Sequence, residues 1–349
     1  MTSPPSVPSG PRFAGAAVAG LVAVATLATL LGLACAPRHE AAPRSEPPPQ
    51  RSFYYWRTVF RLSQAERAAL QALQIRRLYV RLFDVTWDSA ASAPTFVGDL
   101  TVDATEPAPE EIEFIPVVFL RHEVLQKLDE AGVRALSVEL WRRIEERTAL
   151  LPGLAGGAAA STPGAAASTR ELQIDCDWTD GTRDRFFALL TELRRLGAAS
   201  AARRATPAPR LSATIRLHQV KYRERTGVPP VERGMLMFYN MGRFSAEQRD
   251  RAIFDAASAD KYLARLADYP LPLDLALPIW SWTLHLRDGE VLDLLQSTDP
   301  QELADVAFLR RSGHDRYVAT DTAFFRGALL REGDELKGES LSPAELSAA

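Results

Sequence analysis

The sequence predicts an α/β protein built as a (β/α)8 TIM-type barrel, and three observations carry the expectation. Apolar runs of strand length recur at residues 53–60, 78–85, 114–120, 172–178, 211–220, 235–239 and 273–282, with helical patterns between several of them. Strands that alternate with helices in this way build a parallel sheet. No glycine-rich phosphate loop follows the first run, which argues against a doubly wound sheet. The stretch 52–349 is also of single-barrel size.

Taken in chain order, the first helix falls at 63–74, where Ser63 and Glu66 form a capping box ahead of Leu70 and Leu73. Further helices are expected at 135–150, 182–196 and 259–266. The eighth strand is expected within 317–330, or the barrel stops short of it, because residues 341–345 read as the start of a final helix. Two stretches rich in Ala, Gly, Ser and Pro, 152–169 and 197–209, read as surface loops at the bottom of the barrel.

The balance of 46% hydrophobic and 24% charged residues is that of a globular protein with ample core. A formal net charge of −3 supplies no field that would draw the chain to nucleic acid, so no nucleic-acid partner is expected. At the N-terminus, Arg12 precedes an unbroken apolar run at 13–34 that ends Gly32-Leu33-Ala34-Cys35, the layout of a secretory signal. A transmembrane anchor is the alternative, since the run is long enough to span a bilayer. Cys35, with small Ala34 before it, resembles the lipid-accepting cysteine of bacterial lipoproteins, although Gly32 stands where that pattern usually has Leu. Ala36 rather than Asp after the cysteine resembles outer-membrane sorting. The resemblance thus implies a signal and lipobox at 1–35 and a lipid-anchored location in the cell envelope. Residues 36–51 are Pro-rich and almost free of apolar side chains, hence a tether, and the barrel occupies 52–349. With Cys35 lipidated, Cys176 is left alone and no intrachain disulfide forms.

In a barrel, chemistry gathers where strands end and helices begin. Period-two alternation places Gln173, Asp175 and Asp177 on one face of strand four, opposite Ile174, Cys176 and Trp178. Strand five likewise sets Ser212, Thr214, Arg216 and His218 on one face and is followed by Gln219. Strand two carries Arg81 and Asp84, strand six ends in Tyr239 and Asn240, and Trp56, Trp280 and Trp282 stand at strand ends. Two carboxylates at the mouth suit acid–base work, and the tryptophans suit stacking on sugar rings. The structural alternative is that Arg216 pairs with Asp175 only to hold adjacent strands together, that His218 is a satisfied buried donor and that the tryptophans are core.

The run Ile174-Asp175-Cys176-Asp177-Trp178 resembles the strand-four signature of family 18 glycoside hydrolases, the chitinase-like barrels. Met237-Phe238-Tyr239-Asn240 resembles their strand-six motif, and Leu277-Pro278 with the following aromatics resembles their strand seven. Thr179 stands where that family carries its catalytic Glu, and Asn240 replaces an Asp. From Tyr54-Tyr55-Trp56 through Ile215-Arg216-Leu217-His218-Gln219 to Tyr239-Asn240-Met241-Gly242, the domain as a whole also resembles an uncharacterised family of bacterial lipoproteins. What the resemblance implies is a glycosidase-like hydrolase with Asp177 as acid or orienting carboxylate, Asp175 and Arg216 holding it, and Tyr239 and Asn240 positioning an N-acyl group. With the strand-end residues added, Asp175, Asp177, His218 and Tyr239 are the catalytic candidates, Arg81, Asp84, Arg216, Gln219, Asn240, Trp280, Trp282 and Trp56 would line the substrate site, and no cofactor or metal is expected. The partner would be a carbohydrate or cell-wall ligand, with the membrane reached through Cys35. A catalytically silent glycan- or peptidoglycan-binding barrel is the second reading. A metal-dependent hydrolase using Asp175, Asp177 and His218 is the third, without any His-x-His or His-Glu-x-x-His spacing behind it.

Overall fold

The computed structural model describes residues 49–103, 111–151, 171–239, 252–255, 262, 265–296 and 302–342, and Gln50–Ala349 form one compact unit. The expected signal and tether, Cys35, Asn240 and the loop at 152–169 lie outside the described residues, as does most of the helix expected at 259–266.

In chain order the elements are β1 (Ser52–Tyr55), β2 (Val59–Phe60), α1 (Gln64–Ala72), β3 (Arg77–Asp88), β4 (Ala93–Val97), β5 (Thr101–Val102) and β6 (Glu113–Leu120). There follow α2 (His122–Lys127), α3 (Glu130–Thr148), β7 (Glu171–Asp175), α4 (Arg183–Arg204), β8 (Arg210–Arg216), α5 (Leu217–Lys221), α6 (Arg223–Thr226), β9 (Arg233–Met237) and β10 (Leu273–Ala276). Beyond them lie β11 (Trp282–Arg287), β12 (Glu290–Gln296), β13 (Leu309–Gly313), β14 (Arg316–Ala319), β15 (Ala323–Phe325), β16 (Ala328–Leu330) and β17 (Glu335–Glu339).

The strands β1, β3, β6, β7, β8, β9 and β10 hydrogen-bond in that order, each parallel to the next, with β4 antiparallel on β3. This is the sequential parallel order of a (β/α) barrel, here a curled half-barrel. Side chains show the curl. Tyr79, Ile115 and Val117 of β3 and β6 form one cluster with Met235 and Met237 of β9, against which Tyr54 of β1 and Ala276 of β10 pack. The Tyr54 hydroxyl donates to Gln173 Oε1 at 2.5 Å although β3 and β6 lie between their strands. In a flat sheet those strands would stand roughly 14 Å apart, at about 4.8 Å per step. The opposite faces of the strands carry Leu78, Val80, Phe114, Val118, Leu172, Ile174, Leu211 and Ala213 into the main core beneath the helices.

The capping box forms as expected: the Glu66 amide donates to Ser63 Oγ at 3.2 Å and the Ser63 amide to Glu66 Oε2 at 2.7 Å. Leu70 is buried, whereas Leu73 caps the helix and is exposed. Helix α3 starts earlier than expected because the Asp129 carboxylate accepts from the Gly132 amide at 2.7 Å and so founds the first turn. The loop expected at 197–209 is corrected: α4 runs through Gly197 to Arg204, since its alanines are strong helix formers. Gly197 packs closely there, since a Cβ would lie 3.1 Å from the Trp141 ring.

Of the two expectations for the C-terminus, the barrel that stops short is the one found. Residues 317–330 form β14, β15 and β16 outside the barrel, and among the described residues no eighth parallel strand joins the barrel sheet. Strands β12, β11, β17, β14 and β13, in that order, make a separate antiparallel sheet. Asp288 and Gly289, both at positive φ, turn β11 into β12, the backbone that a two-residue hairpin demands. One face of this sheet buries Leu295, Leu309, Tyr317 and Leu336 in a second core. The other presents Trp282 to the main core.

Candidate site at the barrel mouth

Strand β7 ends its ladder at Asp175, and the chain keeps its alternation for three more residues. Ile174, Cys176 and Trp178 point outward and are fully buried, Trp178 stacking on Phe186 at 5.0 Å and donating its indole N–H to the Thr226 carbonyl at 2.9 Å. Gln173 and Asp175 therefore face the barrel interior, and Asp177 emerges at its rim with about half of its side chain exposed. The expected alternation holds.

One guanidinium joins the two carboxylates. Arg216, at the end of β8, donates from Nη2 to Asp175 Oδ1 at 3.0 Å and from Nε to Asp177 Oδ1. Thr214, two residues earlier on the same face, donates its hydroxyl to the same Asp175 oxygen at 2.6 Å. Burial pushes the Asp175 carboxyl above its ordinary value, against the opposing pull of Arg216 and Thr214. Burial acts to lower the Arg216 pKa, but Asp175 and then Asp177 outweigh it and hold the group firmly charged. Beside it, Tyr239 is pushed up to about 12 by burial, with Arg216 opposing. Its ring meets Trp280 edge to face at 4.7 Å.

A second closed pair stands on β3. A register shift between Arg81 and Phe83 brings Arg81 and Asp84 to one side, with Nε 2.5 Å from Oδ1 and Nη2 3.1 Å from Oδ2. Arg81 Nη1 also donates to the Trp56 carbonyl at 3.1 Å. Gly98, at φ +65°, makes room for this arginine, since a Cβ there would fall 2.2 Å from Arg81 Nη2. Tyr54 links the two clusters: it stacks on Trp56 at 5.5 Å with planes 6° apart, and it is electrostatically coupled to Asp175, Tyr239 and Arg216.

Several expected site residues lie elsewhere. His218 is on α5, past the end of the strand, exposed and with its pKa lowered by partial burial, so the predicted alternation stops at Arg216. Gln219 is a buried clamp: its Oε1 accepts from the Arg216 amide at 2.7 Å and its Nε2 donates to the Trp178 carbonyl at 2.9 Å. It ties the rim together and offers nothing to a ligand. Trp282 belongs to β11, where it is buried and donates to Glu339 Oε2 at 3.0 Å. The tryptophans left at the mouth are Trp56 and Trp280, 41% and 38% exposed. Tyr54 is the site residue that the sequence reading passed over, whereas Gln173 and Thr214 were placed on the right faces but given no role. Tyr54 was findable, standing two positions before Trp56 on one strand face.

Neither carboxylate expected to face Asp177 is open: Asp84 is held by Arg81, and Glu232 is bound to Arg194 and to the Leu211 amide at the start of β8. Among the described residues no group of three His, Cys, Asp or Glu side chains is placed to hold a metal ion. Among the described residues, the mouth presents the half-exposed Asp177 carboxylate and the exposed indoles of Trp56 and Trp280, groups that suit hydrogen bonding and ring stacking.

No protein-family model matches the chain, and no curated protein does. Among solved structures, it is similar to the spore cortex-lytic enzyme SleL of Bacillus cereus, at 13% identity and a TM-score of 0.47. That match covers 86% of this chain and 66% of SleL, so the chain spans just under two thirds of that protein. It is also similar to a chitinase from Chromobacterium violaceum, at 12% identity over 83% of this chain and 86% of the other, TM-score 0.44. A chitinase-like agglutinin from Robinia pseudoacacia stands at 13% identity, 85% and 89% coverage and a TM-score of 0.44. Such distant likenesses carry no assignment of activity, and the architecture rests on the strand order described above.

Proposed function

We propose that the barrel mouth is a carbohydrate-binding site and that the protein is a cell-envelope lipoprotein using it to hold a glycan without cleaving it. The observation that supports binding over hydrolysis is the clamp of Arg216 on both Asp175 and Asp177. Family 18 glycosidases, which the strand-four run resembles, are substrate-assisted, so a hydrolase here would need an acid at the mouth and carboxylates free to assist it rather than two acids across the bond. Here both carboxylates share one cation, and Thr179 occupies the position of the missing acid. Trp56 and Trp280 would stack against the apolar faces of sugar rings while Asp177 and Tyr239 accept and donate to their polar groups. Cys35 would carry the lipid, after removal of residues 1–34.

A second reading has one observation in its favour: the raised pKa of Asp175, which a general acid requires. One experiment separates the two. Residues 50–349 are titrated with N-acetylglucosamine oligomers and peptidoglycan fragments by calorimetry, and the same mixtures are followed for product by chromatography. Saturable binding that Trp280→Ala weakens roughly ten-fold, with no product, supports the binding barrel. Turnover lost in Asp175→Asn supports the hydrolase. No binding of any glycan overturns both. Fatty-acid labelling of the parent and of Cys35→Ser tests the anchor, and label retained on the Ser variant would make Cys35 the wrong acceptor.

A further inference from the structure

We propose that Arg121 sets the selectivity of the mouth: its guanidinium is a carboxylate-binding subsite, and the glycan held there is acidic, carrying a uronic or an ether-linked lactyl carboxylate. This deepens the reading above and rests on the mouth being the glycan site.

The backbone brings Arg121 to the rim. Its amide donates to the Val85 carbonyl at 3.1 Å, which carries the bonding of β6 to β3 one residue past the strand, and its φ of −64° and ψ of 129° are still extended. Alternation along β6 therefore holds to this point. Ile115 and Val117 lie in the interior cluster and Phe119 is half-buried, whereas Val118 and Leu120 are fully buried in the main core on the opposite face. Arg121 is the next residue on the interior face, at the end of the strand where the barrel opens, and it is exposed. The register pairs Phe119 with Asp175, so two residues further on Arg121 stands beside Asp177.

The charge around it decides what it can hold. At the mouth Arg81 is closed on Asp84, and Arg216 bridges Asp175 and Asp177. The Arg121 guanidinium has no hydrogen bond or ion pair among the described residues. Burial raises the Asp175 pKa, which leaves the Arg216 charge for Asp177. His218, electrostatically coupled to Asp177 and Arg216, has its pKa lowered by burial and is neutral near physiological pH. Among the described residues of the rim, Arg121 is thus the cation whose charge is not met. A guanidinium presents a planar fork of N–H donors that matches a carboxylate in two parallel bonds. A sugar hydroxyl would take one donor and none of the charge, and a phosphate dianion beside Asp177 would exceed it.

The test measures binding to residues 50–349, one compact unit, by calorimetry. Each acidic ligand is compared with its own methyl ester, which removes the charge and keeps the sugars. A tetrasaccharide of N-acetylglucosamine and N-acetylmuramic acid represents the lactyl source, and tetragalacturonate the uronic one. The neutral N-acetylglucosamine tetramer reports on the mouth itself. At least one acid should bind roughly ten-fold tighter than its ester at about 0.05 M salt, and the advantage should shrink severalfold at about 0.5 M. Arg121→Gln should bring the acid-to-ester ratio near one, whereas Arg121→Lys should keep part of it, as a point charge without the fork. The ratio is insensitive to any loss of folded protein, because acid and ester lose sites alike. A ratio near one for both acids in the parent, or a ratio that survives in Arg121→Gln, overturns the proposal, while binding of the neutral tetramer then leaves the mouth reading standing. No binding of any of these ligands overturns both.

Discussion

Two buried aspartates, one in each sheet, are bound by arginine and behave in opposite ways. Asp334, before β17, accepts from Arg287 Nε and Nη2 at 2.7 Å each, from His285 Nε2 at 2.8 Å and from the Arg331 amide at 2.8 Å. Its pKa is held well below the ordinary range, chiefly by Arg287. Asp175, in the barrel, has two donors, both on Oδ1, and burial drives its pKa up. Both side chains are nearly inaccessible, at 2% and 4% exposed, but Asp175 lies much deeper in the protein. Burial therefore leads at Asp175, and the donors, more numerous and spread over both oxygens, lead at Asp334. A carboxylate with donors on both oxygens is scaffold, whereas one left short keeps capacity for a proton or a ligand.

The largest effect should follow from removing the satisfied member. Asp334→Ala strips partners from buried His285 and from the Arg331 amide, and should lower stability by about 2–3 kcal/mol in chemical denaturation. The loss should be confined to the C-terminal sheet, leaving glycan binding at the mouth intact. Equal loss at both places would mean that the two regions are one cooperative device and would break the comparison.

This contrast was half legible in the sequence. The strands of the barrel announced themselves through alternation, and β7 displays Asp175 and Asp177 as read, because period two follows from the pleat alone. The end of β8 was not legible. Arg216, Leu217 and His218 continue the alternation, yet the chain turns into α5 because Gln219 folds back onto the Arg216 amide and the Trp178 carbonyl. Those partners are distant in sequence or depend on the fold. Trp282 misled for a similar reason: Leu277 to Trp282 looks like one aromatic strand, but the buried acceptor of its indole, Glu339, lies 57 positions away. The sheet of β11 to β17 was missed because its strands are short, although Asp288-Gly289, both at positive φ, is a hairpin signal that stood in the sequence.

A medium effect should appear in the pH dependence. Asp175 has a raised folded pKa, so the native state holds its proton more tightly than the unfolded chain does. Its contribution is full below the unfolded carboxylate pKa, about 3.9, and declines as pH rises through the folded value. Asp334 has the opposite sign: its contribution is full above that value and is lost as pH falls. Asp175→Asn should therefore change stability by less than about 1 kcal/mol near neutrality, and should gain on the parent as pH rises from about 4 to 8. Thermal melts across that range check it. A variant that loses ground as pH rises would show that the Arg216 pair outweighs burial at Asp175, making it scaffold after all.

The smallest effect on stability should come from Thr179→Glu. Thr179 sits in the turn between β7 and α4, where its amide, not its side chain, makes the firm contact, donating to Thr182 Oγ1 at 2.9 Å. The side-chain contact between the two hydroxyls is a long 3.5 Å. Glutamate keeps the amide and places a negative charge just before the N-terminus of α4, which the helix dipole tolerates. The change in unfolding free energy should stay within about 0.5 kcal/mol. The same variant restores an acid where the resembled strand-four signature carries one, beside an Asp177 already held by Arg216. A trace of N-acetylglucosamine oligomer hydrolysis above the parent is the expected gain, read by product chromatography. Hydrolysis with unchanged stability would place the difference between a glycan-holding and a glycan-cleaving mouth in one turn residue. A silent variant that still binds glycan would locate it instead in the Arg216 clamp, which holds both Asp175 and Asp177 and leaves neither free to assist the restored acid.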